Sequence, residues 1–460
     1  MSTTQAQIVE RAKVATSLVF VLAGGAFATW ASRIPDVRIA LDLTPGQLGL
    51  LLLCGSAGSL VGLPLAGWVA SRIGTRNTVR LGATLTTSGL VGTGVAAGVL
   101  HDFWLTAAFL FVALAGIGQW DVAMNIEGAA VEHRLERNIM PRFHAAFSAG
   151  TVGMALIGAG LVAAHVPIAV HFAIAAVLLL GAAIVATRAF LPPEMDEALA
   201  GAGAAADEAS APVPTTAAAG TSATTATASA ASDGHAPANS VATPVISARA
   251  AWLEPRTLLI GLVMLVAAFT EGTANDWISV AFVDGYDLPT WAGVLGFATF
   301  LSFMTIGRLI GASMLDRWGR VPVLRAMLIA AGFGSLMVVF GNPVLAYIGA
   351  AIWGFGVSLG FPVGISAASD DPRNAAVRVS VVSTIAYGAF LIGPPALGFL
   401  GDHWGILRAL AVVSAMLILA LLALPAVRKP EPQVARMTDA AEAATATLDS
   451  ADNDRLRERT

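Results

Sequence analysis

Two matching stretches decide the fold of this chain. The first reads Gly25-Ala-Phe-Ala-Thr-Trp-Ala-Ser32, and the second reads Gly272-Thr-Ala-Asn-Asp-Trp-Ile-Ser279, an offset of 247 residues. Both lie in the outer parts of apolar spans. Other pairs follow in the same order: Arg72-Ile-Gly74 with Arg317-Trp-Gly319, Gly116-Ile-Gly118 with Gly354-Phe-Gly356, and Gly153-Met-Ala-Leu-Ile-Gly158 with Gly388-Ala-Phe-Leu-Ile-Gly393. This order indicates that the chain contains a duplicated unit of six spans.

The composition is typical of a protein that lies in lipid. Of the 460 residues, 56% are hydrophobic and 12% are charged, and the mean hydropathy is +0.74. Since a soluble domain carries about 25% charged residues, this chain cannot cover a surface that faces water. The formal net charge of -4 argues against nucleic acid as a partner. The single cysteine, Cys54, lies in an apolar span and is interpreted as a small buried hydrophobe.

Twelve apolar stretches are long enough to cross the hydrocarbon as helices, which takes about 20 residues each. They are too long for barrel strands and they do not alternate between polar and apolar residues. The predicted spans are 14–31, 46–70, 78–100, 103–124, 143–164, 168–187, 257–277, 291–313, 322–340, 344–367, 379–400 and 406–426.

These spans divide the chain into four parts. Residues 1–189 are predicted to form an N-terminal six-helix half, and residues 251–427 a C-terminal six-helix half. Residues 190–250, rich in Ala, Thr, Ser, Gly and Pro, are predicted to be a disordered cytoplasmic linker, and residues 428–460 a disordered cytoplasmic tail. The predicted fold class is an all-α membrane protein of twelve transmembrane helices in two pseudo-symmetric halves.

The positions of Lys and Arg predict the orientation. An even number of spans places both termini on one side of the membrane. If that side is the inside, 22 Lys and Arg residues lie in the inner segments, whereas only Arg33, Arg38 and Arg408 lie outside. Because inner loops carry the excess of basic residues, both termini are predicted to be cytoplasmic.

Twelve spans in two related halves, with basic turns after spans two and eight, resemble the major facilitator superfamily. Its loop signature is G-x-x-x-D-R-x-G-R-R/K. Residues 67–76 read GWVASRIGTR, with Ser71 in the place of the signature Asp, and residues 316–320 read DRWGR. In that family the acidic residue contacts a helix N-terminus across the cytoplasmic gate, a charge–dipole contact. The resemblance implies the gate residues Ser71, Arg72, Asp316 and Arg317, with a weaker contact at the uncharged Ser71.

Shorter stretches resemble particular branches of the superfamily. Thr29-Trp-Ala-Ser-Arg-Ile-Pro35, Arg142-Phe-His-Ala145 and Asp276-Trp-Ile-Ser279 resemble the bacterial branch named for a rhizopine transport protein (MosC-like). Trp120-Asp-Val-Ala-Met-Asn125 resembles the L-E-T-A-A-N stretch of proton-coupled fucose permeases. There the acidic residue carries a proton, and Asp121 is its counterpart here. The proline-containing antiporter signature of drug exporters is not matched in span five.

Two carboxylates are predicted to lie near the middle of the membrane. Asp121 precedes Arg134 by 13 residues and Glu271 follows Arg256 by 15, which places them roughly 20 and 22 Å from the inner surface. An ionisable side chain in hydrocarbon costs at least ~2.5–3.5 kcal/mol, so it usually has a function. Each half is predicted to offer one proton-coupling carboxylate to a central cavity. The alternative is a structural hydrogen bond between helices.

Polar and aromatic residues at similar depth are candidates for the wall of that cavity. A deep Trp needs a partner for its N–H, which favours a packed or wet interior over lipid. Two asparagines lie one helical turn after the carboxylates, on the same faces. Tyr387 is either a hydrogen-bonding group or a packed aromatic residue. The candidates are Trp30, Trp120, Asn125, Asn275, Trp277, Trp353 and Tyr387.

Four further titratable positions are predicted near the ends of the spans. Arg33 and Asp276 each lie about 30 Å from the inner surface, at the outer edge of the hydrocarbon, so they are predicted to form a switching ion pair of the outer gate. The alternative is two independently solvated charges. Arg308 is predicted to make a structural contact near the inner surface. His144, at the cytoplasmic start of span five, is either a titrating gate residue or a structural one.

Taken with the resemblance, these features predict a secondary active transporter that moves a small polar organic solute, sugar- or cyclitol-like, by alternating access with proton symport. The alternatives are proton-driven efflux of amphipathic compounds and a non-transporting sensor with the same fold. The expected partners are the lipid bilayer, the solute and protons, with no nucleic acid, in a monomer of the bacterial inner membrane. No phosphate loop is present, so ATP is not expected to drive the protein, and no Cys/His cluster suggests zinc. The sequence contains no recognisable soluble catalytic domain, so no enzyme activity and no cofactor are expected.

Overall fold

The computed structural model describes residues 3–137, 139–192, 246–371 and 373–430. All regular secondary structure within these ranges is helical. The predictions of a disordered linker and a disordered tail concern residues that are mostly 193–245 and 431–460, which lie outside the described residues. The two halves that flank the linker are described below.

The N-terminal half consists of five long helices and one short helix. Its helices are α1 (Thr3–Ala31), α2 (Ile34–Ala40), α3 (Pro45–Val95), α4 (Phe103–Leu135), α5 (Met140–Ala163) and α6 (Ile168–Ala186). A π-helical turn (Ala96–Leu100) continues α3. The start of α3 is set by a capping box, in which the Thr44 hydroxyl accepts from the Gln47 N–H at 3.3 Å and the Gln47 side chain accepts from the Thr44 N–H at 3.0 Å.

The C-terminal half also contains six spans, but two of them are each divided into two helices. Its helices are α7 (Ala248–Ala251), α8 (Pro255–Tyr286), α9 (Thr290–Trp318), α10 (Arg320–Phe340), α11 (Pro343–Val357), α12 (Gly360–Ala368), α13 (Ala375–Trp404), α14 (Ile406–Ala409) and α15 (Ala411–Ala423). The pairs α11/α12 and α14/α15 each form one interrupted span. Pro394 and Pro395 lie inside α13.

A glycine reverses the chain at the corresponding loop of each half. Within the 51 residues of α3, Gly74 has φ +79° and ψ 161°, and between α9 and α10 Gly319 has φ +77° and ψ 167°. Both φ values lie in the region that favours glycine. An unbroken helix of 51 residues would measure about 77 Å, more than twice the hydrocarbon thickness, so α3 contains two spans joined at Gly74.

The described residues therefore contain twelve membrane spans. Eleven helices are long and apolar enough to cross a bilayer, and one of them, Pro45–Leu100, contains the two spans just described. Large apolar side chains are exposed around the bundle, for example Val177 at 73% and Leu422 at 74%. An apolar surface of this extent is suited to lipid and not to water. The chain is thus a multi-pass, all-α membrane protein.

Small residues let the helices of the N-terminal half cross closely. Gly24 of α1 lies against the Phe147 carbonyl oxygen of α5, and Gly150 of α5 lies against the Val21 carbonyl oxygen of α1. A Cβ atom at either glycine would overlap the facing backbone. Such reciprocal contacts are typical of packing between membrane helices, where small residues allow the backbones to approach.

We expect Gly150→Ala to destabilise the N-terminal half, because its methyl group must push α1 and α5 apart. Overpacking of this kind costs about 1–3 kcal/mol. Gly160→Ala is the matched control on the same helix, since a Cβ atom there meets nothing within 4 Å. Thermal unfolding of the purified protein should show a lower midpoint for Gly150→Ala only. Equal midpoints for the two variants would contradict the close crossing.

The two halves meet through α3 with α13 and α5 with α9. We call the end of the bundle where α1 begins and α15 ends the proximal face, and the end that carries α2 the distal face. At the distal face the Gly46 N–H donates to Asp402 Oδ1 at 3.0 Å, across the two halves. Next to it, Gly49 lies against the Pro394 carbonyl and Gly398 lies against the Pro45 carbonyl. These backbone contacts close the distal face.

Candidate functional site

A cavity of about 290 Å³ lies between the two halves. Its wall comes from α1, α3 and α4 of one half and from α8 and α13 of the other. Leucine, isoleucine and aromatic side chains form most of the wall. Its polar side chains are Ser56, Ser59, Asp121, Asn275, Asp276 and Tyr387. This space, called the central cavity below, is of the size that holds a small organic molecule.

Two carboxylates face the central cavity without a basic partner. Asp121 on α4 accepts one long hydrogen bond, at 3.4 Å, from the Asn125 side chain, which also donates to the Asp121 carbonyl at 2.9 Å. Asp276 on α8 accepts no hydrogen bond from any residue that the structure describes. Asn125 itself lies one turn along α4, away from the wall of the cavity. Asp276, which was predicted to be a residue of the outer gate, thus lies in the wall of the central cavity.

A second cavity of about 240 Å³ adjoins the first and shares Phe27, Asn275 and Phe390 with it. Here Arg308 Nη2 lies 3.0 Å from both carboxylate oxygens of Glu271. The pair is partly exposed to the cavity, 34% for Arg308 and 24% for Glu271. The placement of Arg308 near the inner surface is therefore wrong, because its guanidinium group reaches Glu271, which lies halfway along α8.

The four deep tryptophans do not share one environment. Trp30 lines the central cavity. Trp277 lies beside it, on a narrow void that Asp276 also borders. Trp120 and Trp353, which were expected in the cavity wall, are fully buried inside their own halves. Close helix crossings cover them, because Gly82 lies against the Trp120 backbone and Gly334 against the Trp353 backbone.

The predicted ion pair between Arg33 and Asp276 is not formed, although the distal face is closed. Arg33 is 2% exposed, and it binds Asp36 Oδ2 at 2.6 Å and His171 Nδ1 at 2.9 Å, both in its own half. Asp276 lies deeper than expected because α8 extends ten residues further, to Tyr286. Ten residues add about 15 Å of helix.

A different ion pair joins the halves at the distal face. Arg38 Nη1 on α2 lies 2.7 Å from Asp284 Oδ1 on α8. Ala159 and Val162 of α5 pack against Val294 of α9 at the same face. The sequence placed Arg38 outside the membrane but contained no signal that it would meet Asp284. The short helix α2, which brings Arg38 across to the other half, was not predicted.

We expect Arg38→Asp to loosen the distal face, because two carboxylates would then repel each other at the boundary between the halves. Asp284→Arg should loosen it equally, and the double charge swap should restore closure. Solvent accessibility of a cysteine placed at Val294, with Cys54 replaced by Ser, measures this. If thiol labelling of the single variants and of the swap proceeded at the same rate, the pair would have no part in closure.

The predicted proximal gate residues are exposed. Ser71 donates to the Trp68 carbonyl at 2.8 Å, and the Arg72 guanidinium lies 5.0 Å from the centroid of the Trp68 ring. Asp316 and Arg317 are exposed, and Arg317 lies over Trp318. His144 contacts the edge of the Phe20 ring, with ring centroids 5.5 Å apart. Among the described residues, these side chains make no hydrogen bond or ion pair to the opposite half.

Ion pairs hold the C-terminal half together at the proximal face. Asp370, 4% exposed, lies 2.7 Å from both Arg256 and Arg320, which ties α8, α10 and the end of α12 to one carboxylate. Glu254 accepts two hydrogen bonds of 2.8 Å from Arg378. Burial acts to raise the pKa of Glu254, but the bonds from Arg378 and Thr257 outweigh it and lower the pKa below its usual value. This network favours movement of the half as one body.

Two six-helix halves that surround a cavity and are closed against each other at one face define a membrane transporter of the two-repeat kind. The family model described as Major Facilitator Superfamily matches residues 16–375 and 289–455. The chain therefore belongs to the major facilitator superfamily, and it is a transporter and not an enzyme.

Relatives and solved structures agree with this assignment. An uncharacterised MFS-type transporter of Yersinia pestis is 29% identical over 415 residues, 88% of this chain and 93% of its own. The membrane protein MosC of Rhizobium meliloti is 25% identical over 408 residues, 87% of this chain and 86% of its own. The fold matches a mutant of the nucleoside transporter NupG (TM-score 0.67, 12% identity, 91% and 99% covered) and the Escherichia coli xylose transporter XylE (0.60, 12%, 90% and 97%).

Proposed function

We propose that this protein couples the movement of protons to that of a small polar organic solute, by alternating access to the central cavity. The observation that carries the proposal is the Asp121 carboxylate, which faces the cavity at mid-bundle without a basic partner. A carboxylate placed there can be protonated and deprotonated during the cycle, since no fixed cation holds it in its charged form.

Alternating access is supported by the unequal faces of the bundle. The distal face is closed by the Arg38–Asp284 pair and by backbone contacts between α3 and α13. The proximal gate residues make no such bonds in the part of the chain that the structure describes. We propose that the proximal face is cytoplasmic, following the excess of basic residues there, so that the structure represents an inward-facing state. Ser71, Arg72, Asp316 and Arg317 would then engage when that face closes.

The Glu271–Arg308 pair is proposed to respond to the proton. Its geometry, with both oxygens 3.0 Å from one guanidinium nitrogen, satisfies the carboxylate in its charged form. Protonation of Glu271 would release Arg308 to other partners in the adjoining cavity. Asp121 and Glu271 then act in different halves, and relative movement of the halves changes what each one faces.

The solute is proposed to be sugar- or cyclitol-like. Ser56, Ser59, Asn275 and Tyr387 offer hydroxyl and amide groups for a polyhydroxylated ring, and the half-buried Phe27 and Phe390 offer aromatic faces against which it can stack. The second candidate is proton-driven efflux of amphipathic compounds. It is supported by the leucine and isoleucine side chains that form much of the same wall. A monomer in the bacterial inner membrane is proposed for both functions.

Transport by the purified protein in sealed liposomes that contain a pH-sensitive dye tests the proposal. Pools of sugars, cyclitols, amino acids and amphipathic cations are added under an imposed pH gradient. Proton entry that depends on a polar solute is the expected result. Proton movement with amphipathic cations alone, opposite to their own flux, would establish the efflux function instead. The absence of any solute-dependent proton movement would contradict both.

A further inference from the structure

The central cavity contains two carboxyl groups, and no basic side chain among the described residues is paired with either of them. Six arginines that the structure describes are already paired with carboxylates other than Asp121 and Asp276. The pairs are Arg33–Asp36, Arg38–Asp284, Arg256–Asp370, Arg308–Glu271, Arg320–Asp370 and Arg378 with Glu254 and Asp371. No Lys, Arg or His that the structure describes lies within ion-pair distance of Asp121 or Asp276. Asp121 is proposed to carry the proton, and this role needs only one carboxylate in the cavity. The presence of Asp276 therefore requires a separate explanation.

The adjoining cavity does not offset this charge. Its one basic side chain, Arg308, faces both oxygens of Glu271, so the pair is neutral as a unit. An anionic solute would meet two uncompensated carboxylates and no free cation, and the like charges would exclude it. Asp121 can take up the transported proton, but with a neutral solute a charged Asp276 would have no counter-charge in a space that apolar side chains largely enclose, which is unfavourable.

Aromatic rings and an amide acceptor line the same cavity as Asp276. Phe390 borders the central cavity, the adjoining cavity and the narrow void beside Asp276, and the Tyr387 ring lies 6.2 Å from it between centroids. The Asn275 side-chain oxygen is buried and accepts no hydrogen bond from a described residue. A carboxylate, a carbonyl oxygen and ring faces together are the groups that bind an ammonium ion, through charge, hydrogen bonds and cation–π contacts.

We propose that the polar solute carries a cationic group, a protonated or quaternary amine, and that Asp276 binds this charged group beside Phe390. This inference rests on the proposed function. It gives the two carboxylates different roles: Asp276 in the C-terminal half recognises the solute, and Asp121 in the N-terminal half carries the proton. The cation supplies the counter-charge that the protein lacks at this position.

Matched solutes test the inference on the full chain in liposomes with the internal pH dye. Each pair differs in its charge: choline against 3,3-dimethyl-1-butanol, and glucosamine against glucose. Choline has no dissociable proton, so any pH change that it causes needs the protein, and liposomes without protein correct the glucosamine signal. We expect the charged member of a pair to reach half-maximal proton flux at a concentration at least about tenfold below that of the neutral member.

Asp276→Asn should remove this preference and raise the half-saturating concentration of the charged member by about 10- to 100-fold, the loss expected for a charge-assisted hydrogen bond. Asp276→Glu should restore part of it. Asp42→Asn is the control, because Asp42 is exposed outside the cavity and its φ of +50° is tolerated by Asn. An unchanged thermal midpoint for Asp276→Asn shows that it is folded, and Asp276→Glu supplies the measurement if it is not.

The outcomes separate the two proposals. Proton flux with the neutral members only would overturn the cationic solute and leave proton-coupled transport in place. Equal responses to both members, or a preference that persists in Asp276→Asn, would also overturn it. If none of the four solutes caused proton flux while the polar pools did, the cationic solute would be overturned and proton-coupled transport would remain. The absence of proton flux with every solute would overturn both proposals.

Discussion

Asp121→Asn should abolish the accumulation of solute driven by a pH gradient, and should leave exchange of the same solute across the membrane intact. The amide has nearly the size of the carboxyl group and can still interact with Asn125, but it cannot bind and release a proton. Exchange of internal for external solute needs no net proton movement, so it does not depend on this residue. Radiolabelled solute from the responding pool, followed in gradient-driven and counterflow assays, measures the two activities separately.

Two variants control for damage to the fold at this position. Asp121→Glu keeps a titratable carboxyl group and should retain accumulation in part. Asp42→Asn makes the same chemical change at an exposed site and should behave as the wild type. Wild-type accumulation by Asp121→Asn would contradict the assignment of the proton to Asp121. Loss of counterflow together with accumulation would assign Asp121 a structural role.

Glu271→Gln and Arg308→Gln should each impair transport and lower the thermal stability of the protein. Removal of one partner leaves the other charge unbalanced inside the bundle, which costs several kcal/mol when both groups are fully buried. Here the side chains are 34% (Arg308) and 24% (Glu271) exposed to the cavity. We therefore expect each single variant to lower the free energy of unfolding by about 1–2 kcal/mol. Thermal unfolding midpoints and gradient-driven flux are the two measurements.

The exchange of the two residues provides the test for a pair. Glu271→Arg combined with Arg308→Glu keeps both charges and should recover most of the lost stability. Coupling between the sites is then read from a double-mutant cycle with the two glutamine variants. Additive losses in that cycle, with no coupling energy, would show that the two side chains act independently, against the geometry of the pair.

The fold was predictable from the sequence because its signals are long and repeated. Spans of about 20 apolar residues need no tertiary information, since lipid requires each backbone group to bond within its own helix. The duplicated Arg-x-Gly loops anticipated the paired reversals at Gly74 and Gly319, whose positive φ values only glycine adopts readily. The short helix α2 was missed because it is only seven residues long and lies beyond the apolar span.

The candidate site was less predictable, since depth along a helix does not determine which way a side chain faces. The rise of about 1.5 Å per helical residue placed Asp121 and Glu271 near mid-membrane, but this estimate of depth could not show that Arg308 faces Glu271. It misjudged Asp276 because the predicted span ended at Trp277, whereas α8 continues through the mostly apolar residues 278–283 to Tyr286. Depth likewise did not separate the cavity-lining Trp30 from the fully packed Trp120 and Trp353.

The proposal that the halves alternate about the central cavity is tested most directly by a reversible lock on the distal face. Cysteines at Ala159 and Val294, which pack against each other there, are introduced after replacement of the single native cysteine, Cys54, by Ser. Solute flux in liposomes is measured before cross-linking, after oxidation, and after reduction. We predict that flux falls to the background level when the cross-link forms and returns when it is reduced. Full flux with the cross-link intact would contradict alternating access.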